Sequence, residues 1–413
     1  MNIVIIGNGI AGNTAAESIR RLDAQAKITL ISEEPCPEYS ACVLCDYISR
    51  ELPKKRVFLK NKKDYERLAI NTVFGKKVDD IDTLGKRVVI EDQEHSYDKL
   101  ILAAGSEPMI PPIKGVKKRG VFPLKTLDDA QAILRHKGKK AVVIGSGPIG
   151  IEATVALKKK GYDVHLIELL GWILPRLLEE ECSRVATGIL YKNGIHVVVA
   201  EKVNEIYGRR GVEGVSTDHR QIDCDTVILS AGVKPRTELT KKIGISLGPL
   251  AGIRVNTRME TDQPDIYACG DCAEVTLPGT DETVSSLLWL SAKQQGEIAG
   301  WNSVGMVRQY SVPMNVISLR VFDTYIASIS HPKYSPDRKY EKIEKRLKDL
   351  YSRMILEDGI IRSVQTVGKS DEMGILYPFL RKGTRIERIR KYMGVEEVPP
   401  LFPVYEKIRN YLS

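Results

Sequence analysis

The 413-residue sequence predicts an α/β fold in which one strand–turn–helix unit occurs twice, with a C-terminal α+β segment after it. Three observations carry this expectation. An apolar strand at 2–6 runs straight into the turn Gly7-Asn8-Gly9-Ile10-Ala11-Gly12. The same arrangement restarts at 140–144 with Gly145-Ser146-Gly147-Pro148-Ile149-Gly150. Beyond about residue 310 the glycine-rich turns stop, and strand-like runs at 317–322, 325–328, 353–356 and 360–367 take over, followed by a basic helix and a Pro-rich tail.

In the first unit a helix runs from the turn to about residue 22, and a second strand at 27–31 ends at Ser32-Glu33-Glu34. A later strand at 99–102 enters Ala103-Ala104-Gly105-Ser106. The second unit repeats the order: a helix to about residue 160, a strand at 164–168 that ends on Glu168, and a strand at 226–230 that enters Ala231-Gly232. This is an internal duplication of architecture.

A Gly-x-Gly-x-x-Gly turn carries meaning only between a strand and a helix, and both copies meet that condition. The first glycine (Gly7, Gly145) makes the tight turn. The second (Gly9, Gly147) lets backbone approach a pyrophosphate. The third (Gly12, Gly150) lets helix and strand pack closely. The helix start then offers unpaired N–H groups and a positive dipole end to phosphate oxygens. An acid at the end of the second strand completes each unit by bonding ribose hydroxyls: Glu168 in the second copy, Glu33 or Glu34 in the first. Leu169 and Leu170 follow Glu168 with no Arg to meet a 2′-phosphate, which favours NADH over NADPH. Two Rossmann-like dinucleotide-binding domains in one chain are therefore expected.

The formal charge of +9 is spread rather than clustered, and the chain has no zinc finger, RNP-type aromatic motif or long basic run, so nucleic acid is not an expected partner. No charged leader precedes the first strand, and no apolar run is long enough to span a bilayer, so a cytosolic protein with no membrane partner is expected. In that compartment the 7 cysteines act as thiols, redox centres or ligands rather than structural staples.

Taken with Tyr267-Ala268-Cys269-Gly270-Asp271, the paired units resemble the FAD-dependent pyridine nucleotide-disulfide oxidoreductases over nearly the whole chain. That resemblance implies an FAD-binding domain in two parts (1–112 and 239–310), an inserted NAD-binding domain (113–238) and a C-terminal interface domain (311–413) that forms homodimers. It implies that Gly7, Gly9, Ala11, Gly12, Glu33, Glu34, Val78, Ala104, Gly105, Lys125 and Asp271 serve FAD. Val78 would meet the adenine and Asp271 the ribityl chain. Gly145, Gly147, Ile149, Gly150, Glu152, Glu168 and Gly232 would serve NAD, with Glu152 near the nicotinamide. No metal is expected. The stretches around Val321-Phe322-Asp323-Thr324-Tyr325 and Met354-Ile355-Leu356-Glu357-Asp358-Gly359 are similar to the NADH oxidase and coenzyme A-disulfide reductase branch.

In that branch a redox cysteine starts a helix beside the flavin, and Cys42 of Tyr39-Ser40-Ala41-Cys42-Val43-Leu44-Cys45-Asp46-Tyr47 falls on its position. A helix N-terminus lowers a thiol pKa, as a redox nucleophile needs. Cys45 lies one turn on, and a Cys-x-x-Cys pair can close reversibly. The same stretch also aligns with the NADH:rubredoxin and ferredoxin reductase branch, where no thiol takes part and both cysteines are small fillers. Cys269 and Cys272 form a second Cys-x-x-Cys, flanking Asp271, where thiols serve as packing residues. Ile10 stands where peroxidase relatives carry His, so peroxide cleavage is not expected. Glu397-Val398 precede Pro399-Pro400 where coenzyme A-disulfide reductases carry a Tyr, and Arg20-Arg21-Leu22-Asp23 resembles a coenzyme A phosphate contact.

Two activities follow as alternatives. In one, NADH reduces the flavin and electrons leave to oxygen, or through Cys42 to a small disulfide or polysulfide such as coenzyme A disulfide. In the other, they pass singly to an acidic iron–sulfur carrier, as in a rubredoxin or ferredoxin reductase or a flavin subunit of a larger dehydrogenase.

Overall fold

The computed structural model describes residues 1–331, 340–347, 350–368 and 373–393. The chain forms two compact units, Met1–Met109 with Val233–Val312, and Ile110–Gly232 with Pro313–Ser413. Pro399-Pro400 and the residues before them lie outside the described part.

The first unit is built on a parallel five-stranded sheet in the order Ile266–Ala268, Lys99–Leu102, Asn2–Ile6, Lys27–Ser32, Ile70–Phe74. Ile3, Val4 and Ile5 are at most 1% exposed, as a parallel strand covered on both faces requires. The helix Ile10–Leu22 packs on the helix Trp289–Ser303 through small residues. A Cβ on Gly296 would sit 2.2 Å from the Ala11 carbonyl oxygen, and one on Gly300 2.6 Å from that of Ala15. Glycine at both places lets the two backbones touch.

The second unit repeats the parallel design in the order Ile195–Val198, Asp163–Ile167, Lys140–Ile144, Thr226–Leu229, Val121–Pro123. A three-stranded antiparallel sheet, Val203–Tyr207, Gly214–Thr217 and Gln221–Asp223, closes a second face. The C-terminal sheet belongs to this unit. It is antiparallel in the order Asn315–Val321, Thr324–Ser330, Ile360–Gly368, Leu350–Glu357, Glu341–Leu347, with the helix Met373–Arg381 covering one face. Its strand Glu341–Leu347 has no counterpart in the sequence expectation, because its alternation of Glu, Lys and Arg carries almost no apolar signal. Arg353 and Lys342 of this sheet donate to the Glu179 carboxylate at 2.7 and 2.5 Å, and the Glu179 N–H donates to the Gln365 side-chain oxygen at 3.0 Å. Among the described residues no helix is long and apolar enough to cross a membrane.

Candidate functional site

In the first unit the glycine turn follows the Asn2–Ile6 strand at its C-terminal end, where parallel α/β sheets bind ligands. Gly7 has φ +121°, and a Cβ there would lie 2.0 Å from the Ala103 carbonyl oxygen. A Cβ on Gly12 would lie 2.0 Å from the Gly7 carbonyl oxygen. Gly9 differs: nothing lies within 4 Å of its added Cβ. Gly9 is also the N-cap of a 13-residue helix that has neither a side-chain cap nor an acidic residue in its first turn. An open cradle and uncapped N–H donors fit a pyrophosphate.

The second unit repeats this geometry. Gly145 has φ +99°, and its Cβ would lie 2.6 Å from the Ser230 carbonyl oxygen. A Cβ on Gly150 would lie 2.0 Å from the Gly145 carbonyl oxygen, whereas Gly147 again faces open space. The helix Pro148–Lys159 starts on Gly147 without a side-chain cap. Pro148 at its start has no N–H to leave unpaired. Ile149 and Gly150 occupy this first turn, Glu152 the next, and Gly232 (φ +109°) follows the neighbouring strand.

The two strand-end acids differ in surroundings. Glu168 is buried. One carboxylate oxygen accepts from the Ser146 N–H (2.9 Å) and hydroxyl (2.6 Å), and the other from the Leu170 N–H (2.9 Å). Three of its roughly four acceptor positions are thus filled, leaving room for a ribose hydroxyl. Glu33 is exposed and pairs with Arg236 at 3.1 Å. Glu34 is turned inward and accepts from the Tyr39 hydroxyl at 2.7 Å. Of the two candidates, Glu33 is the one facing solvent at the strand end.

Asp271 lies in the turn Gly270–Cys272, directly after the strand Ile266–Ala268. The Ser106 hydroxyl donates to it at 2.7 Å, and the Gly270 N–H is held by Gln295 at 2.8 Å. Ala104 and Gly105 (φ +72°) precede Ser106 at the end of the next strand. The turn, Glu33, Ala104-Gly105 and Asp271 therefore all gather at the C-terminal ends of one sheet. Val78 is buried in the core of this unit, so only its backbone can meet a ligand. Lys125 sits in the second unit, where its N–H donates to Asp129 just before the helix Leu127–Arg135.

Cys42 is exposed and lies in a short 3-10 turn, Ala41–Val43, rather than in the first turn of an α-helix. Cys45 follows, half-buried, in the five-residue helix Leu44–Ile48. The expected helix start is therefore a tighter turn, and its dipole is correspondingly small. What the sequence does not reveal is how this segment is tied to the glycine turn. Asn8 donates to the Cys36 carbonyl at 2.9 Å and accepts from the Tyr65 hydroxyl at 2.8 Å. The Glu38 N–H donates to the same hydroxyl at 3.0 Å. The Glu38 carboxylate is buried and meets Lys60 at 2.5 Å, which also meets Glu17 at 2.8 Å. Burial pushes the Glu38 carboxyl above its ordinary range, and Lys60 opposes that shift.

Cys269 and Cys272 are fully buried, and the Cys272 thiol donates to the Leu102 and Cys269 carbonyls at 3.5 and 3.3 Å. Burial raises both thiols, Cys272 to about 11, so they fill space as neutral thiols. Cys182 and Cys224 are also buried and pushed up to about 12. Arg20 does not fit a phosphate contact. Its five N–H groups donate to the carbonyls of Leu68, Asp23, Ala24, Ala26 and Ala69. It is a backbone clamp.

Residues 1–296 match the family described as pyridine nucleotide-disulphide oxidoreductase. The chain belongs to this family. Among its relatives, an NADH oxidase of Methanocaldococcus jannaschii is 35% identical over 350 residues, covering 82% of this chain and 78% of that protein. A nitric oxide reductase FlRd-NAD(+) reductase of Klebsiella pneumoniae is 30% identical, covering 72% of this chain and 80% of that protein. The chain spans about half, 48%, of a 30% identical nitrite reductase [NAD(P)H] of Bacillus subtilis, which covers 94% of this chain. The solved NAD-dependent persulfide reductase from A. fulgidus aligns with a TM-score of 0.89 and 26% identity, over 100% of this chain and 83% of that one. This pyridine nucleotide-disulphide oxidoreductase is an enzyme of FAD and NAD(P)H, and the two uncapped glycine turns fit two dinucleotides.

Proposed function

We propose that Cys42 is the group through which electrons leave this NADH oxidoreductase for a persulfide, polysulfide or small disulfide. The observation that carries this is the bonded path from Asn8 of the first glycine turn to the exposed Cys42 segment, through Cys36, Tyr65 and Glu38. When bound, FAD supplies a two-electron acceptor for hydride from NADH and releases those electrons onward. Gly7, Gly9, Ala11 and Gly12 hold its pyrophosphate, Glu33 its ribose, and Asp271, set by Ser106, its ribityl chain. Gly145, Gly147, Ile149 and Gly150 hold NADH, with Glu168 on its ribose and Glu152 and Gly232 lining the site.

The Cys42 thiolate attacks one sulfur of the acceptor, forms a mixed disulfide and expels the other sulfur as thiolate. Two electrons drawn from NADH and a proton then split that mixed disulfide, returning Cys42 to a thiol and releasing the acceptor's remaining sulfur as a thiolate. Cys45, one turn on, is the candidate resolving thiol, and the C-terminal sheet is the candidate homodimer face of a cytoplasmic protein. The test is Cys42→Ser. Flavin reduction by NADH is expected to persist, and polysulfide or coenzyme A disulfide reduction to vanish. Full retention of that second activity excludes Cys42.

A second reading, delivery of single electrons to an acidic protein carrier, is favoured by one further observation, the cation-rich surface that flanks the Cys42 segment.

A further inference from the structure

We infer that the exposed segment Lys54, Lys55, Arg56, Leu59, Lys62 and Lys63 is the docking surface for a small acidic protein that takes electrons from this enzyme. The inference rests on the carrier reading of the acceptor and names where that carrier sits.

Lys54, Lys55 and Arg56 form a 3-10 turn with no buried residue. Lys62 and Lys63 open the helix Lys62–Arg67, and both are exposed. Lys62 lies only within 4.0 Å of Glu66, and its side chain is 88% exposed. Lys54, Lys55, Arg56 and Lys63 form no ion pair among the described residues. Elsewhere in this unit Lys86 and Lys99 are neutralised by Asp265, and Arg87 by Asp82 and Glu94. Here the charge is left facing water. Leu59, 48% exposed, stands among these cations as an apolar contact. A cationic rim around an exposed apolar side chain is the anatomy of a charge-steered protein interface.

The segment is also fixed to the strand of chain that precedes Cys42 and that is tied to the first glycine turn. The Ser40 N–H donates to the Val57 carbonyl at 2.9 Å, and the Leu59 N–H to the Glu38 carbonyl at 2.9 Å. Tyr39, three residues before Cys42, bridges Phe58, two residues past Arg56. Lys60, the one cation in this run that turns inward, is spent on Glu38 and Glu17. A partner bound to the outward cations therefore lies beside the Cys42 segment, on the side that Tyr65 and Asn8 tie to the first glycine turn.

The experiment uses the flavin-loaded full chain and an acidic rubredoxin as probe. A basic cytochrome c is the opposite-charge control. Affinity is measured by calorimetry at low and physiological salt, beside NADH bleaching of the flavin. Wild type is expected to bind rubredoxin with an affinity that falls steeply with salt, and to bind cytochrome c far more weakly. The triple variant Lys54→Glu, Lys55→Glu, Arg56→Glu is expected to lose about 100-fold in affinity and most of the salt dependence, with NADH bleaching unchanged. Leu59→Ser is expected to lose about 10-fold without changing the salt slope. The same charge change at Lys117, Arg119 and Arg210, exposed cations of the other unit, controls for net charge and should cost under 3-fold. Wild-type binding that is no tighter for rubredoxin than for cytochrome c overturns the inference, as does equal loss in the two triple variants. Absence of NADH bleaching in wild type counts against the electron-transfer reading instead, and the binding comparison still decides the surface.

Discussion

Alanine at Gly9 and alanine at Gly12 are expected to fail in opposite ways, although the two glycines are three residues apart in one turn. At Gly12 the new Cβ would be 2.0 Å from the Gly7 carbonyl oxygen and 3.3 Å from Ile5 Cγ2. Neither neighbour is the far end of a flexible side chain, so the sheet and helix must separate. That overpacking costs about 3 kcal/mol. At Gly9 the Cβ meets nothing within 4 Å, and φ −79° suits any residue. Losing the preference for glycine over alanine at an N-cap costs the apoprotein about 1 kcal/mol or less. The added methyl instead fills the cradle where a pyrophosphate would approach the first N–H groups. Weakening one charge-assisted hydrogen bond there is worth about 1.5–3 kcal/mol, or about 10- to 100-fold in FAD affinity. Urea unfolding of the flavin-free proteins, followed by FAD titration through quenching of flavin fluorescence, separates the two effects. If Gly9→Ala binds FAD as wild type does, the turn is not the phosphate cradle. If it unfolds as easily as Gly12→Ala, the open space seen at its Cβ has no meaning.

Other outcomes follow from single contacts. Arg20→Ala removes five bonds to backbone carbonyls and should destabilise the chain by about 2–4 kcal/mol in urea unfolding, without changing affinity for coenzyme A. Asp265 is held below its ordinary 3.8 first by hydrogen bonds from Lys86 and Lys99, so its stabilising effect is present above that pH and fades as pH falls through the lowered value. Asp265→Asn, which tolerates the positive φ of 66°, should cost about 1 kcal/mol at pH 7, and the deficit should shrink as pH falls through the lowered value. Lys60→Met strands the buried Glu38 carboxylate at a cost of about 3–5 kcal/mol at pH 7. Because Glu38 already has a raised pKa, the deficit should shrink as pH falls and the carboxyl protonates. After reduction, iodoacetamide at pH 8 should label the exposed Cys42 and spare Cys182, Cys224, Cys269 and Cys272, as peptide mapping would show.

The glycine turns, their strands and Glu168 were legible because each signal is local. An apolar run, a turn and a helix start lie within a dozen residues, and period and glycine spacing suffice. The contacts that shape the sites join distant parts of the chain. Ser106 reaches Asp271 across 165 positions, Arg236 reaches Glu33 across 203, and Tyr65 reaches Asn8 across 57. No spacing rule connects such pairs, so the tether between the glycine turn and the cysteine segment was invisible. Arg20 misled for a related reason. Its motif fits a phosphate ligand, and only the loop closing over it shows that its donors are already used. The tight turn at Cys42 was likewise hidden, since Ala41-Cys42-Val43 carries no signal that separates a 3-10 turn from an α-helix start.

This chain should load two different dinucleotides and move electrons from one to the other. Anaerobic titration of the yellow holoprotein with NADH addresses this without any acceptor. One equivalent of NADH should bleach one equivalent of bound flavin, and the Glu168→Ala variant should need far more NADH while holding its flavin as tightly. A protein that takes up no flavin, or whose flavin stays oxidised under excess NADH, contradicts it.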